Sequence, residues 1–426
     1  MIDAAPTPRS PRKPSARDWT VLMPVVGLTA LAVCGIVLLG LGTSKVGLLP
    51  LLVGAGAALL PVGLVVAAYL WVDRWEPEPA RLLLIAFAWG ALGATLSSSL
   101  FNSTAELIGD SLLGRGNGNV LAAVSSAPLV EEAAKGVFLV VLLSLRRQEF
   151  NGIVDGIVYA GFVAAGFAFT ENIYYFARAF VIGGFGDATS GVIALFILRG
   201  VLSPFAHPLF TSLTGIGVGL AAGSLRRRTR VLAPLLGYLG AVALHALWNV
   251  SAALGGGAAF INLYFLIMVP IFVGMVLLVL WQRRREQRVV SAQLPEMAHN
   301  RWIAASEVAL LASLAGRRNW RRAVRRRAGD QAARAVAQYQ VAVTELAFLR
   351  DRMAQGTAGG DAEDRHELLL ARVLATRTAA VNSPGLLGGA KDRPRPDRRR
   401  RGPADDQRPG TGTPAAGESR ATEGAD

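Results

Sequence analysis

Two adjacent carboxylates and a lysine, Glu131, Glu132 and Lys135, interrupt an apolar run that extends from Val120 to Leu145. No other ionisable residue falls in that run, which is long enough to cross a bilayer as a helix. A charge at such depth costs about 2.5–3.5 kcal/mol on the gentlest scales, so it persists where it is paired or where it acts. Glu131 and Lys135, spaced i,i+4, share a helix face and partly neutralise each other. Glu132 points about 100° away and needs another partner, which the rest of the chain must supply.

Later apolar runs carry further polar groups. Glu171 and Asn172 follow Phe167-Ala-Phe-Thr, Arg199 precedes Ser203-Pro-Phe-Ala-His207, and Asp155 stands near the start of its run. His245-Ala-Leu-Trp-Asn249 sets an imidazole and an amide on one helix face. Taken singly, these have plain structural readings: a helix-to-helix hydrogen bond for each histidine, packing for Asn172 and Asn249, a cap for Asp155. Taken together, Glu131, Glu132, Glu171, His207, His245 and Asn249 are the complement that water-mediated amide hydrolysis needs. That chemistry takes a carboxylate base for water, a group to protonate the leaving amine, and donors for the oxyanion.

Eight runs must position these groups: about 20–42, 47–72, 82–104, 120–145, 152–180, 191–222, 231–254 and 259–281. Counting about 1.5 Å per residue along each helix brings Glu131, Glu171, His207 and His245 to the midplane or the outer half on four consecutive spans. Basic residues concentrate in alternate connections, at Arg74 and Arg81, Arg146 and Arg147, and Arg226 to Arg230, and again from Arg283 onward. The opposite connections hold only Lys45 and Arg115. The positive-inside rule then puts both termini in the cytoplasm of a multi-pass plasma-membrane protein. Gly215, Gly219 and Gly223 form a small-residue face for close helix packing. The tryptophans at 71 and 75 read as interfacial anchors of a polar turn, Asp73 to Pro79.

The fold class expected is therefore an all-α polytopic membrane bundle of about eight helices with a basic, partly helical, partly disordered cytoplasmic tail. Residues 1–282 hold 17 Lys and Arg and 13 Asp and Glu; residues 283–426 hold 27 and 17. The divisions are a disordered N-terminus at 1–19, the membrane domain at 20–282, a basic helical region at 283–381 and a disordered tail at 382–426. The basic region reads as an amphipathic stretch on anionic lipid headgroups, with no nucleic acid expected because no aromatic-bearing nucleic-acid motif is present. One cysteine, Cys34, excludes an internal disulfide and a cysteine-based metal site. The first run is longer than a signal-peptide core and reads as a retained anchor.

At these residues the chain resembles the PrsW family of intramembrane proteases, related to the glutamate-dependent CAAX-protease-like superfamily. The resemblance rests on Glu131-Glu132-Ala-Ala-Lys135, on Phe167-Ala-Phe-Thr-Glu171, on His207 and on His245-Ala-Leu-Trp-Asn249. The Asp73 to Pro79 turn and Asp155-Gly-Ile-Val-Tyr159 also look like the family's pattern, and the likeness spans about residues 60–280. One departure is Thr211, which stands where an HxxxD pattern has an acidic residue. The resemblance implies Glu131 as general base, Glu132 and Lys135 tuning its charge, and Glu171 positioning water or carrying a proton. It implies His245 and Asn249 at the oxyanion and His207 orienting water or acting as acid, with Lys135, Asn172 and Asp155 in support. The family is described as metallopeptidase, and Glu171, His207 and His245 would make an open three-ligand zinc site. With no HExxH present, a metal-free mechanism is preferred. The implied substrates are membrane-embedded single-span regulators, such as anti-sigma factors, in stress signalling.

Two other classes compete. A proton-coupled membrane transporter also uses intramembrane acids and histidines, but would show an inverted repeat with matching broken helices, and none is evident. A non-catalytic membrane scaffold would use the same polar faces to hold partners.

Overall fold

The computed structural model describes residues 16–381, apart from Glu76, Gln148, Glu149, Asn151 and Gly255. The disorder expected at 1–19 and 382–426 falls outside the described residues, except that Ala16–Trp19 open the first helix. Among those residues the chain is helical: α1 Ala16–Val46, α2 Leu48–Val72, α3 Ala80–Leu113, α4 at 117–145, α5 Ile153–Gly183, α6 Gly191–Ala222, α7 Arg227–Leu254, α8 at 256–299, α9 Ala305–Leu311, α10 Leu314–Ala354 and α11 Ala362–Val381.

By length and apolar composition, seven of these are able to cross a membrane, namely α1, α2, α3, α5, α6, α7 and α8. Eight were expected. The remaining one, α4, matches the others in length but carries Glu131, Glu132 and Lys135 within its apolar stretch, and those three charges set it apart. One face packs against α3, α5, α6 and α7, and the other leaves Leu129, Val137, Val140 and Val141 exposed.

The centre is α5, whose apolar stretch is 83% buried by protein against 11% for that of α1. Small residues make this possible. A Cβ on Gly156 would stand 2.0 Å from the Gly215 carbonyl oxygen, so only glycine lets α5 and α6 touch backbone to backbone. Gly219 meets Gly152 in the same way, whereas Gly223 closes the helix and packs against no neighbour.

Four of the bundle helices are locally underwound into π-helical segments: α3 at Trp89–Ala94, α4 at Ala122–Ser126, α6 at Ile197–Leu202 and α8 at Tyr264–Met268. Such segments free backbone carbonyls that must find donors inside a membrane. Side chains from other helices supply them: Thr170 donates to Ala91 O at 2.7 Å, Asn249 to Ala123 O at 2.8 Å, and Tyr264 to Leu202 O at 2.6 Å. Helix α6 breaks outright at Ser203–Phe205, where Pro204 offers no N–H, and restarts at Ala206.

Helix α8 runs past the end of the bundle and joins α9, α10 and α11 around a second core that includes Leu294, Met297, Leu311, Tyr339, Val343 and Leu346. Gly329, at φ +81°, turns α10 back on itself there. The apolar residues of this region thus pack on one another. Trp75, expected at the lipid interface, is instead 3% exposed and inserted in this core, with the Arg317 guanidinium 4.8 Å from its ring. Trp71 is exposed and stacks under Arg283.

Candidate active site

The polar residues of α4, α5, α6 and α7 converge on one buried cluster. The i,i+4 pairing expected for Lys135 is not the short one: its Nζ lies 2.7 Å from Glu132 Oε1 and 3.8 Å from Glu131 Oε2. An i,i+3 spacing also shares a helix face, and Glu132 has the better-placed oxygen. Glu132 and Lys135 are fully buried. Glu132 accepts from Lys135 and from His245 Nδ1, at 3.0 Å, through Oε1, and from Thr211 Oγ1, at 2.8 Å, through Oε2. Thr211, the departure from the HxxxD pattern, thus donates to a carboxylate where an acid at that position would repel it.

His207, immediately after the break in α6, is held at both nitrogens. Nδ1 accepts from Lys135 Nζ at 3.2 Å, and Nε2–H donates to Glu171 Oε2 at 2.7 Å. Glu171 also takes a 2.5 Å bond from Arg199 Nη2, while Arg199 Nε donates to Asn172 Oδ1 at 2.6 Å. Arg199 comes from the π segment of α6 and stacks on Tyr175. Phe167, one turn before Glu171 on the same face of α5, lies under the Lys135 ammonium at 4.0 Å.

Glu131 differs from its neighbours. Its Oε1 accepts from Asn102 Nδ2 at 3.3 Å, and Asn102 is in turn bonded to Ser126. Its Oε2 is buried and makes no hydrogen bond among the described residues. His245 donates Nδ1–H to Glu132, which leaves Nε2 as an acceptor 3.9 Å from that oxygen. Two acceptors therefore face each other across a gap suited to a proton, a water or a cation.

Glu131, His207 and His245 each offer one ligand atom within 4.8 Å of the others. The carboxylate that meets both imidazoles is thus Glu131, not Glu171, because Glu171 Oε2 is already committed to Arg199 and His207. This set fits a divalent ion. The unbonded Oε2 needs a positive partner, and Glu132 orients His245 as a carboxylate behind a histidine ligand does. His207 would give its third donor in place of one of its present bonds.

Not every expected residue joins the cluster. Asn249 spends its amide N–H on the α4 π segment, and Asp155 accepts from Gly152 N–H at the start of α5, sixteen residues and about 24 Å from Glu171. Asn102 was missed; an amide in the polar tail of the third run, Ser97-Ser-Ser-Leu-Phe-Asn102, was its only signal. A cavity of about 20 Å³, lined by Asn172, Arg199, Ser203, His207 and Trp248, adjoins the cluster and has room for one water.

The fold and site define a helical, multi-pass membrane protein that walls acids, imidazoles and cations inside its bundle, the complement that hydrolysis within a membrane needs. Residues 78–275 match the family model described as PrsW family intramembrane metalloprotease. The Protease PrsW of Geobacillus kaustophilus is 29% identical over 178 residues, 42% of this chain and 69% of the relative. That of Oceanobacillus iheyensis is 28% identical over 225 residues, 52% of this chain and 91% of the relative. That of Clostridioides difficile is 27% identical over 170 residues, 37% and 61% of the two chains. No solved structure matches. Over residues 78–275 the chain is similar to the PrsW family, and it is an intramembrane protease.

Proposed function

We propose that this protease hydrolyses a peptide bond of a single-span membrane protein with Glu131 as the general base. The observation that carries the reading is the pair of facing acceptors, Glu131 Oε2 and His245 Nε2, 3.9 Å apart beside Glu132, both of whose carboxylate oxygens are bonded. Glu131 takes a proton from water as the water oxygen adds to the carbonyl carbon, then passes it to the amine nitrogen as the C–N bond breaks. His245, held by Glu132 at Nδ1, presents Nε2 as a second acceptor that orients the water beside Glu131. Lys135 and Thr211 hold Glu132, and Arg199 with Asn172 holds Glu171, which keeps His207 turned into the cluster. A divalent ion such as zinc, held by Glu131, His207 and His245, would supply a Lewis acid for the water and the carbonyl.

The wider assignments follow from the same reading. The basic connections favour a plasma-membrane protein with both termini in the cytoplasm, with a membrane domain at 20–282 and a helical region at 283–381 whose arginines meet anionic headgroups. The substrate is a membrane regulator, anti-sigma-factor-like, released in signalling. The test compares the membrane proteomes of cells carrying the wild type and Glu131→Gln. One single-span protein is expected to accumulate in the variant and to be cleaved by purified wild type in nanodiscs. Identical proteomes, with both proteins inserted to equal levels, sink the proposal. Chelation followed by zinc re-addition in the purified assay decides the metal question.

A further inference from the structure

Away from the protease cluster, the connections at one end of the bundle meet the C-terminal helices. Two cavities lie where residues 73–75, 144–147, 150, 152 and 223–230 meet the helical region that follows α8. They differ in charge. The first, about 730 Å³, mixes Asp73, Asp155, Glu286 and Asp351 with Arg226, Arg285 and Arg352. The second, about 760 Å³, is lined among the described residues by Arg146, Arg147, Arg230, Arg352 and Arg365, with Asp361 the acid beside them.

Five guanidinium groups around one cavity repel each other, and partial exclusion of water sharpens the repulsion. Arg147 and Arg230 are anchored on backbone carbonyls. Arg147 Nη2 donates to Ala222 O at 3.0 Å, and Arg230 Nε donates to Ser224 O at 2.8 Å, so the carbonyls that end α6 anchor both. Arg147 is held below its ordinary pKa by partial burial and then by the charge of Arg230. Arg146 and Arg147 are the first residues after α4, and Arg230 lies in the first turn of α7, so this rim sits where a bilayer's headgroups begin. The far wall, Leu349 to Arg365, belongs to α10, α11 and their connection, beyond the residues that match the family.

We propose that this arginine-lined cavity is a binding site for a phosphate group, which bridges the membrane bundle to the C-terminal helices. Guanidinium groups converging from three segments match the oxygens of a phosphate monoester or diester through paired, charge-assisted hydrogen bonds. Such a group comes either from an anionic phospholipid at the rim or from a soluble phosphate compound entering from the cytoplasmic face. Both share the chemistry, and they differ in route.

The full chain is purified into nanodiscs of phosphatidylcholine alone and of phosphatidylcholine mixed with phosphatidylglycerol, and its unfolding temperature is read with and without pyrophosphate. The double variant Arg146→Gln/Arg365→Gln is measured beside it, since neither residue anchors the α6 carbonyls. A rise with phosphatidylglycerol that the double variant loses supports the site with a lipid as its source. A rise with pyrophosphate in phosphatidylcholine alone, again lost in the variant, supports the site with a soluble source. In either case the variant's affinity for the probe falls about tenfold or more. No rise with either probe overturns the proposal, as does a rise that the double variant keeps in full, because the basic face of α10 would then be responsible. A variant already unfolded in phosphatidylcholine is replaced by Arg146→Lys/Arg365→Lys, which keeps the charge and loses the paired geometry; undiminished binding there also overturns the proposal.

Discussion

Glu131→Gln and Glu132→Gln are the same isosteric change at adjacent positions, yet the structure separates their consequences. At Glu131, Oε1 accepts one hydrogen bond from Asn102, and Oε2 accepts none. Glutamine keeps the first oxygen and points its amide N–H at the His245 acceptor 3.9 Å away. Lys135 loses only its longer partner, at 3.8 Å, and retains Glu132 at 2.7 Å. Stability should therefore change by no more than about 1 kcal/mol. Activity should fall about 10²–10⁴-fold through loss of the base. At Glu132, three donors converge on two oxygens, from Lys135, His245 and Thr211, in a site with no exposure to solvent. A glutamine there has a single acceptor and introduces two donors, so at least one donor faces another, and the Lys135 charge is left buried without its near partner. The expected cost is about 3–5 kcal/mol of stability in addition to the lost activity. The assay is cleavage of a single-span reporter in nanodiscs, paired with thermal unfolding of the same samples. A Glu131→Gln protein that unfolds earlier than Glu132→Gln, or that still cleaves at the wild-type rate, would refute the assignment of acceptors.

Arg199→Met should lower cleavage at least about tenfold, and Arg199→Lys should not restore it, because one ammonium cannot hold both Glu171 and Asn172 as the guanidinium fork does. Trp75→Ala should loosen the C-terminal helices by about 3–5 kcal/mol, read as earlier proteolysis of 283–381 with the membrane bundle intact. Burial, offset in part by the Glu78 N–H and reinforced by Asp155, pushes the Asp73 carboxyl up to about 8. The folded state thus holds a proton there that the unfolded chain releases near its ordinary pKa, so stability declines as pH rises from about 4 to about 8. Asp73→Asn should flatten that slope; an unchanged slope by denaturant titration at several pH values refutes the burial argument.

Much of this was legible in the chain because a bilayer makes charge expensive. Glu131, Glu132, Lys135, Glu171, His207 and His245 stand out in apolar runs, and their depths could be counted from the helix rise. Which of them touch could not be read in that way. Lys135 chose Glu132 over Glu131 because two donors from other helices, Thr211 and His245, had already fixed Glu132, and no spacing within one helix contains that information. Asn102 stayed hidden because an amide costs little to bury and does not stand out among serines. Trp75 was misread for a related reason: a tryptophan beside a membrane end suits the interface equally well until another domain covers it.

Asn249 is where spacing and structure part most clearly, and the difference can be measured. Four residues beyond His245 on α7, it has the position of an oxyanion donor, but its N–H is committed to Ala123 O in the π segment that precedes Glu131 by one to two turns. An oxyanion donor, once removed, costs about 10²–10³-fold in turnover and leaves stability nearly unchanged. A residue that pins a freed carbonyl inside a membrane costs stability first, about 1–3 kcal/mol for the orphaned group, and activity only as far as α4 drifts. Asn249→Ala should therefore unfold at lower temperature and lose no more than about tenfold in cleavage rate, with the stability loss the more prominent of the two. A stable variant with turnover reduced a hundredfold or more would return Asn249 to the reacting atoms, and the contact with Ala123 would then have to break when substrate enters.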